Sequence, residues 1–374
     1  MATDTAVTGA PETTELRLAS GNGPVTRTVL RTPVRDALPS EVPLIDISPI
    51  FSTCVADRKA VARKIHDAAT NIGFFYIQNH RVPSQDIDLA YSASQDFFRQ
   101  EMEVKVEADA KDGPFDSGYR GPGTQRVNPT EGADLRETYS ILYDPMLDPT
   151  VPDPANIPEP ASRFLHLGRA PFESTATLPH FKDAFVRYFQ ACLVLARALT
   201  RAFALSLDLP ESAFDGKVQY PDASLEINFY PPISTGHAVS APGDADTRVS
   251  IGSHTDFLLF TILWQDSNGG LQVLNREGQW IRAIPVEGTF VVNIGDYLQR
   301  VTNDKYVSTV HRAQNFSGRE RVSMPFFWGF GMHESCQVLR NCCGEDEKSK
   351  YDEVKCVDWV SRRLGNLFDL SDKG

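Results

Sequence analysis

The sequence predicts a mixed α+β protein, mainly β, built on a double-stranded β-helix (jelly-roll) core buttressed by helices. Between residues 223 and 328, short apolar or alternating runs are punctuated by Gly, Asn and Pro, as in a sandwich of short strands. Before them lies a long helical pattern over 179–207, where Phe185, Phe189, Leu193, Leu195, Leu199, Phe203 and Leu207 recur near three and four residues. A strand-helix-strand-helix alternation opens the folded region.

Each element follows from its local pattern. Residues 1–40 are rich in Thr, Ala, Pro and Gly with few large apolar side chains, too little burial to offset ordering, and so are expected to form a flexible N-terminal arm. Residues 42–47 read as a short strand, 57–71 as a helix with Val61, Ile65 and Ala68 on one face, 73–80 as a strand and 84 to about 108 as a second helix. A Gly-rich loop at 118–123 and a proline-rich connector at 144–160 complete an N-terminal region, 41–175. Residues 176–340 hold the long helix and the core, with strands expected at 225–230, 249–252, 258–264, 271–273, 290–294, 307–312 and 322–328. The polar 234–247 stretch interrupts them, suited to a lid or a tolerated insertion. Residues 341–374 form a charged loop and a terminal helix, 357–367.

Composition narrows the function classes. A formal net charge of −12 and the lack of a Lys/Arg run argue against nucleic-acid binding and favour a small-molecule partner. Six cysteines without a CxxC pair read as reduced thiols. The N-terminus has no apolar leader, and no run of about 18 apolar residues occurs, so a cytoplasmic protein is expected, without membrane insertion. The sequence does not indicate an oligomeric state.

The chemistry concentrates between residues 251 and 323. His254 and Asp256 lie two apart, so an extended backbone turns one imidazole and one carboxylate to the same face. With His311 as the third ligand, two imidazoles and a carboxylate would cover one face of an octahedron and leave three positions open, the arrangement of non-haem Fe(II) oxygenases. Arg321 and Ser323 have the same spacing, and a guanidinium beside a hydroxyl suits a buried carboxylate. Ser317-Gly318 reads as a hairpin turn that would bring residue 311 opposite 323 or 324.

His254-x-Asp256, His311 and Arg321-x-Ser323, set among Gly269-Gly270-Leu271-Gln272-Val273 and Val292-Asn293-Ile294-Gly295-Asp296, resemble the 2-oxoglutarate/Fe(II)-dependent dioxygenases of the isopenicillin N synthase-like superfamily. The similarity spans roughly residues 42–335. It implies Fe(II) as cofactor, 2-oxoglutarate and O2 as co-substrates, and hydroxylation, desaturation or ring rearrangement of a small natural-product-like substrate, in secondary metabolism. It also implies that Asn228 and Tyr230, in Asn228-Phe229-Tyr230-Pro231, join Arg321 and Ser323 in binding 2-oxoglutarate. Tyr119, Arg120, Phe257, Leu258, Trp264, Phe327 and Trp328 are substrate-pocket candidates from their place around these motifs. Three other readings stay open: an isopenicillin N synthase-type oxidase that does not use 2-oxoglutarate, a non-catalytic binding protein on the same scaffold, and a zinc hydrolase.

Overall fold

The computed structural model describes residues 11–20, 23–110, 117–165, 167–168, 172–232, 250–315, 317–344 and 348–367. In chain order the strands are β1 (Thr13–Ser20), β2 (Gly23–Leu30), β3 (Arg35–Asp36), β4 (Leu44–Asp46), β5 (Phe74–Gln78), β6 (Gly118–Arg120), β7 (Glu137–Leu142), β8 (Asp222–Tyr230), β9 (Ile251–His254), β10 (Phe260–Gln265), β11 (Leu271–Leu274), β12 (Trp280–Arg282), β13 (Thr289–Ile294), β14 (His311–Ala313), β15 (Arg321–Gly329), β16 (Ser335–Cys336) and β17 (Val354–Lys355). The helices are α1 (Val55–Asn71), α2 (Ser84–Phe98), α3 (Met102–Lys105), α4 (Phe181–Ser206), α5 (Asp296–Val301) and α6 (Cys356–Leu367).

Two sheets make the core. One has eight strands in the order β4-β5-β13-β10-β15-β8-β7-β6; the other has five, in the order β3-β12-β11-β14-β9. The crossing order of strands distant in sequence is that of a jelly roll. Outer-face residues of the larger sheet pack on α4: the rings of Phe189 and Phe326 are 5.2 Å apart, those of Phe203 and Phe260 5.0 Å, and Trp328 Nε1 donates to Thr200 Oγ1 at 2.9 Å. By length and composition α4 is apolar enough to cross a membrane, yet its apolar stripe is buried in this core.

Four expectations change. The segment expected as a loop at 118–123 begins with the short β6, paired with β7. Residues 13–36, expected as a flexible arm, form β1, β2 and β3; alternation puts Leu16, Leu18 and Val29 on one face, where they pack with Leu274, Trp280 and Val310. The second helix ends at Phe98 and is followed by the short α3. The expected hairpin between β14 and β15 does not form: β14 pairs with β11 and β9 in the smaller sheet, whereas β15 pairs with β10 and β8 in the larger one. The link between them crosses from one sheet to the other, and Asn315 anchors it by donating to the carbonyls of Tyr230, Pro231 and Arg319. The 234–247 stretch, read as lid or insertion, lies outside the described residues.

Candidate active site

The smaller sheet places the histidines. His254 ends β9 and is the direct cross-strand partner of His311 at the start of β14, with ring centroids 4.3 Å apart. Asp256 follows just after β9, its backbone carbonyl held by the Asp296 N–H at 2.7 Å. One donor atom from each of the three residues lies within 4.8 Å of the others. Each imidazole is oriented from behind: Nδ1 donates to the carbonyl two residues earlier in the chain, at 2.8 Å to Gly252 O for His254 and 3.1 Å to Thr309 O for His311, which leaves the Nε2 lone pairs facing inward. Both Nε2 atoms stand 3.5 Å from Asp256 Oδ1. The other carboxylate oxygen, Oδ2, accepts from Thr261 Oγ1 at 2.5 Å and Asn293 Nδ2 at 2.7 Å. Thr261 and Asn293 are themselves cross-strand partners, so two strands of the larger sheet grip one oxygen and release the other.

Charge states suit metal binding. Burial alone would raise the Asp256 pKa, but the His311 and His254 imidazoles outweigh it and hold the carboxyl well below its usual range. Burial and the neighbouring His311 lower the His254 pKa, keeping it neutral. Burial opposes protonation of His311 too, yet Asp256 outweighs it and raises the pKa, so a divalent cation would displace its proton. Two imidazole nitrogens and one carboxylate oxygen, on one side of an open cavity, fit Fe(II).

The larger sheet supplies a cation across from this triad. Arg321 begins β15 opposite Tyr230 of β8, and Ser323 lies opposite Asn228. Arg321 is 1 % exposed, its Nε has no hydrogen-bond partner, and among the described residues it has no ion pair. Its polar contacts are long: 3.4 Å to Ser323 Oγ and 3.3 Å to Gln265 Oε1. The guanidinium carbon sits 4.5 Å from the Tyr230 ring centroid, and Tyr230 OH lies 3.2 Å from Ser323 Oγ. A buried guanidinium without a counterion is costly unless an anionic ligand completes it, and a fork of N–H donors beside two hydroxyls matches a carboxylate. Asn228 is engaged through Oδ1 by Arg136, which also pairs with Glu226 at 2.9 Å.

Both groups open onto one cavity of about 250 Å³ between the sheets. Strand alternation decides which neighbours reach it. Arg120, Phe257, Leu258 and Phe327 line it; Tyr119, Trp264 and Trp328 do not. On β15 the cavity face is Arg321, Ser323, Pro325 and Phe327, so Trp328 turns into the core; on β10 it is Thr261 and Leu263, so Trp264 turns outward, its ring tilted against that of Tyr91 with centroids 5.3 Å apart. Tyr119 is a core residue whose hydroxyl donates to Glu137 at 2.6 Å beside Lys105. Residues that motif reading passed over are Thr261, Asn293, Glu226, Asp222 and Arg136; period two along β8, β10 and β13 would have pointed to the first four, whereas Arg136 lies just before β7 and carries no such signal.

Comparisons with known proteins agree on one family. Residues 42–160 match the model described as non-haem dioxygenase in morphine synthesis N-terminal, and residues 221–329 match that of the 2OG-Fe(II) oxygenase superfamily. A 2-oxoglutarate-Fe(II) type oxidoreductase of Metarhizium majus, ppzC, is 92% identical over the whole length of both chains. Another from Emericella nidulans, hxnY, is 33% identical over 86% of this chain and 89% of its own. Among solved structures, a full-length Neurospora crassa protein in complex with alpha-KG superimposes with a TM-score of 0.74 at 27% identity, covering 87% of this chain and 96% of that one.

Proposed function

Because this chain belongs to the 2-oxoglutarate-Fe(II) oxygenase superfamily, we propose that His254, Asp256 and His311 hold its Fe(II) and that Arg321, Ser323 and Tyr230 grip the distal carboxylate of 2-oxoglutarate. The observation that carries this reading is the buried Arg321 without a counterion, facing the triad across a shared cavity. When bound, Fe(II), 2-oxoglutarate and O2 supply the oxidising chemistry, releasing succinate and CO2.

The protein's own residues orient and exclude. The Nδ1 bonds of both histidines fix which nitrogen faces the metal, and Thr261 with Asn293 fixes which oxygen of Asp256 does. Asn228, held through Oδ1 by Arg136, keeps its NH2 group to donate toward the co-substrate. Phe257, Leu258 and Phe327 give the cavity apolar walls that keep water from the reacting carbon and restrict which C–H bond lies in reach. The substrate is a small natural-product-like molecule of secondary metabolism, oxidised in the cytoplasm by hydroxylation, desaturation or ring rearrangement.

The test is succinate formation from 2-oxoglutarate by the Fe(II)-loaded chain with O2 and ascorbate, with and without a panel of small metabolites. Succinate that rises with one compound, and is lost in Arg321→Ala with Fe(II) still bound, supports both the co-substrate and its clamp. An unchanged 2-oxoglutarate requirement in Arg321→Ala sinks the clamp.

A further inference from the structure

β8 runs along the cavity wall with five side chains on one face: Asp222, Ser224, Glu226, Asn228 and Tyr230 all line it. Asn228 and Tyr230 stand at the Arg321 end. Asp222 stands at the other, opposite Gly329, six residues and so about 20 Å of strand from Asn228. The lining contains three carboxylates, and two have cationic or metal-binding partners: Asp256 has the two histidines, and Glu226 has Arg136. Asp222 has none. Its Oδ2 is buried without a hydrogen-bond partner, and no ion pair reaches it among the described residues. Burial pushes its carboxyl up to about 7, so it ionises readily once a cation arrives.

A half-buried aspartate with one carboxylate oxygen buried and unpartnered stands at the opposite end from Arg321. Leaving one in a cavity wall costs stability unless a ligand satisfies it, as with the guanidinium. Resting on the oxygenase reading above, we propose that Asp222 is a specificity-determining residue: it receives a cationic N–H group of the substrate, an ammonium or a guanidinium, at the end of the cavity remote from Arg321. The substrate is then a small organic cation whose charged end is held at Asp222 while its apolar part extends past Phe257 and Phe327 toward the triad.

The test uses the full chain loaded anaerobically with Fe(II) and 2-oxoglutarate, titrated calorimetrically with n-hexylguanidine, n-hexylamine and the neutral n-hexylurea. A charge-assisted hydrogen bond in this setting predicts that at least one cation binds about tenfold or more tightly than the urea. In Asp222→Asn that ratio should fall to near one while 2-oxoglutarate affinity is unchanged, which also shows that the variant is folded. Equal binding of cations and urea, no binding of either cation, or a preference that survives in Asp222→Asn overturns the proposal. The two cations separate ammonium from guanidinium recognition. Failure of the starting chain to bind 2-oxoglutarate is a different result, and sinks the oxygenase reading; the same three ligands are then titrated into the metal-free chain and judged by the same ratio.

Discussion

Replacing Arg321 with Met should leave the stability of the ligand-free chain nearly unchanged while removing most of its co-substrate binding. In the ligand-free protein the guanidinium has two hydrogen bonds at 3.3 and 3.4 Å, an Nε without a partner and a ring contact with Tyr230 at 4.5 Å. The ring contact and the two long hydrogen bonds together contribute on the order of a few kcal/mol, and desolvating a cation with no counterion costs a comparable several kcal/mol. Met keeps most of the volume and removes the charge, so unfolding stability without ligand should change by less than about 1 kcal/mol. Binding of 2-oxoglutarate, by contrast, loses one partner of a buried charge pair, roughly 2–5 kcal/mol, or about 30- to several-thousand-fold in affinity. Thermal melts with and without 2-oxoglutarate read both quantities. At 100 times the dissociation constant the ligand stabilises wild type by about 2.7 kcal/mol, a rise of roughly 3–5 °C, which Arg321→Met should lose. A variant that melts far lower without ligand yet still gains those degrees from 2-oxoglutarate would refute the clamp and make Arg321 a structural cation.

Four further outcomes follow from the same geometry. His254→Ala, Asp256→Ala and His311→Ala should each abolish turnover and Fe(II) binding while circular dichroism stays native; a fully active variant removes that residue from the triad. Asn293→Ala frees one side of Asp256 Oδ2, and Fe(II) affinity should fall about 10- to 100-fold in a competition titration, whereas an unchanged affinity would leave Thr261 as sufficient. Tyr119→Phe should cost about 1 kcal/mol in urea denaturation and leave succinate turnover intact, because the hydroxyl serves Glu137 and not the cavity. For pH, the folded Asp222 carboxyl near 7 binds its proton more tightly than an unfolded aspartate near ~4; its contribution is present below that lower value and is lost as pH rises to about 7. Asp222→Asn should therefore be more stable than wild type at pH 8, by up to about 4 kcal/mol, with the difference shrinking toward pH 4; parallel stability curves would contradict this.

The candidate triad and the residues proposed to clamp 2-oxoglutarate were legible because their chemistry is written at period two. His254 with Asp256, Arg321 with Ser323, and Asn228 with Tyr230 each announce a shared face, whichever strand lies alongside. Partner strands were less legible. Ser317-Gly318 looks like a hairpin turn, but nothing local records that β14 and β15 belong to different sheets, since that depends on pairing with β9 and β8 far away in sequence. The pocket candidates failed where parity was ignored: in Tyr119-Arg120, Leu263-Trp264 and Phe327-Trp328, only one of each adjacent pair reaches the cavity. In the first and last pairs both residues were candidates and alternation kept Arg120 and Phe327; in the second, size suggested Trp264 and alternation chose Leu263. The N-terminal strands were hidden by composition, because Leu16, Leu18, Val25 and Val29 are sparse but correctly alternated.

Arg363 on α6 donates to Ala19 O of β1 at 2.6 Å and to Thr255 O at 3.1 Å, and pairs with Asp296 at 3.2 Å. One side chain, 344 positions along the sequence from Ala19, thus ties the first strand to the residue between His254 and Asp256. During synthesis, the last strand of the two main sheets ends at Gly329, so it emerges roughly 2–7 seconds ahead of that arginine. A nascent or C-terminally clipped chain would hold the triad and the clamp but lack the wall to which α6 contributes Val360, Arg363 and Leu364. The ability to take up iron and 2-oxoglutarate would precede, in time, the ability to choose what is oxidised.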